Sequence, residues 1–454
     1  MSTKTIMELD IVNPCCAGID VGSKEHWVSV GQNEDTDIKK FGVFTADMEL
    51  IIAFLKEHNI QSVAMEATGS YGKCLFSALQ AAGFEVILST TNTIKNPAGK
   101  TDKLDCKWLQ KLHTLGMLNA AFIPSEDVET LRYYHRHREN LTAHCVQYSN
   151  RMQKCLQHLN LRLENVIRDV TGISGLKIIK AILDGEKDGN NLAALASPNV
   201  KKTKEEIAAA LVGNWKPEIM YELKDNYDMY IEAQNRIKKL DIQIKEVLET
   251  QSKHELRDGL KKKNKQKNQP DFDVSKLSYQ YFGVDLMAIE GIAQNTVMSI
   301  ISEVGRDINK FDSAKKFTSW LRLSPNNKVS GGKILSSKTP KGKNLLSVAF
   351  RNAANTISQC KEGVLKKYFD RIAYRKGRGA AVTSTARKLA IIVWNMINKK
   401  QEYNPMGEKN YEDKIKSNAM AQLTKTIKKL KLDQDGINDL IANIQQVASV
   451  NYSS

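Results

Sequence analysis

The sequence predicts an α/β head followed by a mainly helical body. Short apolar, strand-like runs alternate with amphipathic helical ones as far as residue 115, and two long heptad-like seams follow between residues 131 and 247. Charge divides along the same line. Residues 1–125 hold 11 Lys, no Arg and 14 Asp plus Glu, a net of −3. The rest of the chain therefore carries +19 of a total of +16. An acidic head on a basic body is the layout expected of a catalytic module joined to one that binds a polyanion.

Each element has its own signal. After a polar lead-in over residues 1–14, Cys16 to Gly22 reads as a buried strand that ends in a turn and carries Asp20. Glu25 to Gly31 alternates as a hairpin partner would, and Ile38 to Phe44 is a third strand. Leu50, Ile51, Phe54 and Leu55 mark a helix over Asp47–His58, capped by Asp or Thr. Ser62 to Met65 is a fourth strand with Glu66 at its C-terminal end. Tyr71 to Ala82 is a helix stopped by Gly83, Glu85 to Leu88 is a fifth strand, and a third helix runs from Thr101 to Leu115. This order is that of the ribonuclease H-like fold, in which acids on the first strand, the fourth strand and the last helix meet at one end of the sheet. Asp20, Glu66, Asp102 and Asp105 occupy those places, and their i, i+3 spacing sets Asp102 and Asp105 on one helix face.

Beyond Pro124 the period changes. Leu131, Tyr134, Arg138, Leu141, Cys145, Tyr148, Met152, Cys155 and Leu159 form one seam, interrupted by Arg138. Tyr230, Ala233, Ile237, Leu240, Ile244 and Val247 form another. The pair predicts an antiparallel hairpin, an intermolecular coiled coil or an ordinary helical bundle core, which periodicity does not separate. The expected divisions are 1–125, a long-helix or coiled-coil region over 126–253, a basic linker over 254–280, a mainly α domain over 281–400, and a helical tail over 401–454. Within the fourth, Val297, Ile300, Ile301 and Val304 predict a helix ended by Gly305, and further helices are expected over 311–323, 344–360 and 380–398.

Composition excludes some classes. Hydrophobic residues make up 41% of 454, and no run reaches the ~20 apolar residues of a membrane span. No basic-then-apolar signal opens the chain, so a cytoplasmic protein with no membrane partner is expected. Seven cysteines without ligand spacing read as reduced thiols rather than a metal cluster.

Four clustered carboxylates suit phosphodiester chemistry, in which divalent ions such as Mg²⁺ or Mn²⁺ stabilise the attacking and leaving oxygens. An acid such as Glu66, directly after an apolar strand, is costly to bury without a partner. A second candidate is Ser330, whose hydroxyl would serve as a nucleophile at phosphorus, beside Gly331 and Gly332. Lys328, Lys333, Lys338, Lys341 and Lys343 surround it with positive charge for a nucleic-acid backbone. Read alone, Ser330-Gly331-Gly332-Lys333 is a weak motif and more often a flexible loop.

Taken together, Asp20 after Gly18-Ile19, Glu66-Ala67-Thr68-Gly69-Ser70-Tyr71-Gly72, Lys100-Thr101-Asp102-Lys103-Leu104-Asp105 and the run from Trp320 to Lys333 resemble the DEDD-type transposases of the insertion-sequence 110 family. The resemblance implies a RuvC-like N-terminal domain, a coiled-coil middle and a C-terminal transposase domain. It assigns the metal-binding acids to Asp20, Glu66, Asp102 and Asp105 and the nucleophile to Ser330. It also implies donor and target DNA as substrates, an element-encoded guide RNA, a bacterial or archaeal nucleoid setting, and a homo-oligomer (dimer or tetramer) in which one subunit's acids meet another's serine. Two departures stand out: Glu290-Gly291-Ile292-Ala293 replaces the family's Pro-Gly-Ile-Gly, and Arg322 stands where a glycine is expected. Two other readings fit the residues: a junction nuclease that uses water, and a non-catalytic nucleic-acid scaffold.

Overall fold

The computed structural model describes residues 10–33, 36–66, 69, 71–89, 101–260, 267–342 and 344–405, with short pieces beyond. The chain divides into two compact units, Met1–Ile123 and Pro124–Ser454.

The first unit is a five-stranded sheet with helices. Strands β1 (Cys16–Val21), β2 (His26–Ser29) and β3 (Ile38–Phe41) form an antiparallel meander. Helix α1 (Thr45–Glu57) leads to β4 (Ser62–Glu66), and α2 (Lys73–Ala81) leads to β5 (Glu85–Ser89). Both strands run parallel to β1, in the order β3-β2-β1-β4-β5. Asp47 belongs to the first turn of α1 rather than to its cap, and its carboxylate accepts the Phe44 N–H at 3.0 Å. Ala17, Ile19, Val21, Val63 and Met65 pack with Ile51, Phe54, Leu55, Leu75 and Leu79 on one side of the sheet.

Helix α3 (Asp102–Thr114) covers the opposite face, where Ala64 and Leu109 form a small core with Trp108 and Leu118. Gly18 is what lets it come so close. A Cβ there would stand 2.3 Å from the Gln110 backbone nitrogen and 2.5 Å from the Cys106 carbonyl oxygen. Polar contacts then tie the C-terminal half of α3 to the sheet. Ser62 Oγ pairs with His113 Nε2 at 2.9 Å, and Asn13 Nδ2 donates to the His113 carbonyl at 2.8 Å.

Among its described residues the second unit is helical apart from one hairpin. Helices α4 (Glu126–His158) and α9 (Pro217–Thr250) lie side by side. Four short helices, α5 (Leu163–Val166), α6 (Ile173–Leu183), α7 (Gly189–Ala194) and α8 (Lys204–Ala210), fill in between them in sequence. Arg138 pairs with Asp241, Cys145 with Gln234 and Cys155 with Glu222, so the two long helices run antiparallel within one chain.

Near Arg138 the seams differ from the heptad expectation. His135 is buried while Tyr134 is only partly so, and Asp241 and Leu248 are buried in place of Leu240 and Val247. The cause is an ion pair. Arg138 Nε donates to Asp241 Oδ1 at 2.6 Å, and Nη1 donates to the Asn268 carbonyl at 3.0 Å. Turning Asp241 inward to meet the guanidinium rotates the apolar stripe of α9. Of the expected linker, residues 261–266 lie outside the described residues. From Asn268 onward it is tied down: Gln269 and Pro270 are buried, and the Asp271 N–H donates to Asp241 Oδ2 at 3.0 Å.

Next come α10 (Val274–Phe282), α11 (Gln294–Val304), α12 (Ala314–Trp320), strands β6 (Lys328–Ser330) and β7 (Lys333–Ser336), α13 (Leu345–Gln359), α14 (Val364–Lys376) and α15 (Arg378–Lys399). The sequence pattern does not flag α14. Helix α11 packs on α4 through Glu303, whose carboxylate takes a two-pronged grip from Arg136, both bonds 2.9 Å long. Residues 420–427 of the tail are helical, and Leu430 lies outside the described residues. Among the described residues no helix is long and apolar enough to cross a membrane.

Candidate functional site

Strand register brings the first two acids together. Gly18 pairs with Ala64 and Ile19 with Met65 across parallel strands. One residue further along, Asp20 is level with Glu66, on strands about 4.8 Å apart. Side chains alternate along a strand, so Asp20 shares the face of Gly18, and Glu66 that of Ala64. That is the face covered by α3.

The other two acids come from the first turn of α3. Thr101 is its N-cap, accepting the Leu104 N–H at 3.3 Å, so Asp102 is not needed as a cap. Buried Cys106, Leu109, Gln110 and His113 seat the helix on the sheet and carry Asp102 and Asp105 to the same end as Asp20. The electrostatics report this convergence. Burial, and then the charges of Asp102, Glu66 and Asp105 in that order, push the Asp20 carboxyl up to about 6. Beside it, burial and the nearby Asp20 push the Cys106 thiol up to about 12, which keeps it protonated and inert as a nucleophile.

Oxygen donors gathered in this way fit a hard divalent cation in their chemistry, because a cation would offset the carboxylate repulsion that adds to burial in raising Asp20. The arrangement is not a closed chelate: among the described residues no three His, Cys, Asp or Glu side chains are grouped to hold a metal ion. Four of the seven cysteines are buried, all seven are free, and Cys15 and Cys74 are exposed.

The serine candidate lies in the second unit, on a β-hairpin rather than a loop. Ser330 pairs with Lys333 across the two-residue turn Gly331-Gly332. Both glycines have positive φ, +53° and +74°, as a type I′ turn requires, and a Cβ at either would meet nothing. The turn thus explains both glycines without any ligand. Ser330, Lys328, Lys333, Lys338 and Lys341 are all exposed, whereas Lys343 lies outside the described residues. The hairpin also exposes Val329, Ile334 and Leu335. The Asn326 N–H closes its base on the Lys338 carbonyl at 3.0 Å.

Both departures from the family pattern have structural accounts. Arg322 adopts φ +56°, the left-handed region that favours glycine, and its guanidinium donates to the Lys341 carbonyl. Glu290 caps α14: its carboxylate oxygens accept the Val364 and Leu365 N–H groups, each at 3.3 Å. Sequence reasoning missed Gly18 as a site-forming residue. A glycine inside an apolar strand, two positions before a candidate acid, was the available signal.

Two family models match the chain. Residues 17–161 match the DEDD model of IS110 type, described as a transposase, and residues 285–370 match the transposase IS116/IS110/IS902 family. No curated protein matches it.

Proposed function

Because this chain belongs to the insertion-sequence 110 family and is a DNA transposase, we propose that it cuts and rejoins DNA with two chemical groups: the carboxylate cluster and Ser330. The observation that carries this reading is the convergence of Asp102, Glu66 and Asp105 on Asp20. The sheet order β3-β2-β1-β4-β5, with α3 over the β1–β4 face, supports a ribonuclease H-like, RuvC-like N-terminal domain.

Asp20, Glu66, Asp102 and Asp105 would hold the divalent ion, Mg²⁺ or Mn²⁺. When bound, it supplies positive charge to the oxygens of the scissile phosphate. Asp20 and Glu66 are set by strand register, so their spacing costs no rearrangement. Ser330 Oγ attacks phosphorus: the Oγ–P bond forms, the P–O3′ bond breaks, the serine loses its proton and the 3′ oxygen gains one. The phosphoserine conserves the bond energy, and a 3′ hydroxyl from the exchanged strand reverses the step. Exposure of Ser330 at a hairpin tip, flanked by Lys328 and Lys333, supports attack on a large substrate. Apolar Val329, Ile334 and Leu335 beside it support docking of the hairpin in a homo-oligomer. The charge of +19 beyond residue 125 supports binding of an element-encoded guide RNA as well as DNA.

Incubation with DNA and Mg²⁺ tests the chemistry. Ser330→Ala should bind DNA yet form no covalent protein–DNA adduct, and Asp102→Asn should lose strand cleavage. Adducts formed by Ser330→Ala would refute the serine, and metal-independent cleavage would refute the carboxylate site. Sequencing of RNA that co-purifies with the protein tests the guide: a discrete species encoded beside the gene is expected.

A further inference from the structure

A cavity of about 750 Å³ opens at the base of the Ser330 hairpin, between α14, α15 and the segment 337–339. Five cations line it: Lys338, Arg371, Arg375, Lys376 and Arg387. Among the described lining residues there is no Asp or Glu. Arg371 and Arg375 stand one turn apart on α14, so two guanidinium groups face the cavity from one helix, and Arg371 also lies over the Tyr368 ring, 5.6 Å from its centroid.

Two further observations bear on what the cavity accepts. Arg387 Nε is buried without a hydrogen-bond partner, a costly state for a donor on a charged group. Behind the cavity wall, burial, and to a smaller extent the charge of Arg371, push the Lys388 ammonium below its ordinary range. Ser337 and Thr339 add neutral hydroxyls at the rim. Planar guanidinium forks with hydroxyl donors suit tetrahedral oxyanions.

The volume exceeds what one phosphate needs, and the position of the cavity favours a strand. The hairpin base at Asn326 and Lys338 lies on its rim, and Ser330 is four residues further along, about 13 Å at 3.3 Å per residue. That length spans roughly four nucleotides of a stacked strand at 3.4 Å rise.

We propose that this pocket binds the backbone phosphates of the nucleic-acid strand presented to Ser330, and so determines which phosphodiester reaches the hydroxyl. The positioning role rests on the reading of Ser330 as nucleophile, whereas the phosphate binding does not. Single-stranded DNA and RNA share the chemistry the pocket recognises.

Fluorescence anisotropy of the full chain with a labelled DNA 12-mer and the RNA 12-mer of the same sequence tests this. Arg375→Gln/Lys376→Gln removes two exposed cations and leaves the core untouched. It should weaken binding at least ~10-fold and lower the salt slope by about 1.4, whereas Lys425→Gln/Lys429→Gln, which removes equal charge elsewhere, should change affinity less than ~2-fold. Arg387→Gln should weaken the same oligomer, and Arg387→Lys should recover only part of the loss, because an ammonium lacks the fork. The oligomer whose affinity falls further identifies the strand as DNA or RNA. Phosphate ethylation should interfere with binding about three to five nucleotides from the attacked position. Equal affinities of the pocket and control variants for both oligomers would overturn the proposal. An adduct formed by Ser330→Ala, with the pocket variants still impaired in anisotropy, would overturn the serine reading and leave the pocket standing.

Discussion

Gly18→Ala is the most informative single substitution in the first unit. Its added methyl would meet Gln110 N at 2.3 Å, Cys106 O at 2.5 Å and Gln110 Cα at 2.8 Å. All three are backbone atoms of α3, so no side chain can turn aside. Ordinary contact begins near 3.4 Å, and α3 must therefore withdraw from β1 by about 1 Å. Overpacking of this kind costs about 1–3 kcal/mol. The same displacement moves Asp102 and Asp105 away from Asp20 and Glu66. A misplacement of about 1 Å in a reacting constellation lowers the rate on the order of 100-fold. Rates of Mg²⁺-dependent strand cleavage, with hydrogen exchange of the α3 amides measured in parallel, would show both effects. Cleavage within ~3-fold of wild type, with α3 amides as protected as before, would refute the claim that close helix–sheet approach sets the acidic site.

Three other perturbations follow from the second unit. Asp241→Ala leaves the buried Arg138 guanidinium with the Asn268 carbonyl and, at 3.8 Å, the half-exposed Glu139 carboxylate, and should lower local stability by about 3 kcal/mol, whereas Arg138→Met/Asp241→Leu should cost less than the single change; hydrogen exchange of α4 and α9 amides measures both. His135 is buried, with Nε2 3.4 Å from Ser299 Oγ, and burial followed by the charges of Arg138 and Arg136 holds it down to about 4. An unfolded histidine takes up its proton near 6.5, so this group's contribution is present above that pH and is lost as pH falls toward 4, on the order of 3 kcal/mol in all; His135→Gln should flatten the fall in unfolding temperature across that window. Arg322→Gly relieves a left-handed backbone but loses the bond to the Lys341 carbonyl, so its stability should stay within about 1 kcal/mol of wild type, while Arg322→Val should lose more by thermal melting.

Much of the head was legible because its signals are local. Alternation and apolar runs located all five strands, and glycine and capping signals bounded the helices to within two or three residues. The unread features depend on partners distant in sequence. Nothing local announces that residues 364–376 form a helix capped by Glu290, whose carboxylate accepts the Val364 N–H from 74 residues away. The interruption at Arg138 was visible, but its resolution was not, since the matching Asp241 lies 103 residues away. The Gly331-Gly332 pair suggested room for a ligand, whereas its positive φ values satisfy a turn.

By itself the sequence determined the types of the elements in the head, the charge division between head and body, and the family. Side-chain chemistry at short spacing and periodicity along one segment are sufficient for those. Tertiary structure alone decided that Asp20 and Glu66 are level across parallel strands, that Gly18 admits α3 close enough to bring in Asp102 and Asp105, and that cations from two helices and a hairpin base surround one cavity. These are relations between segments brought together by packing, and no local propensity encodes the distance between them.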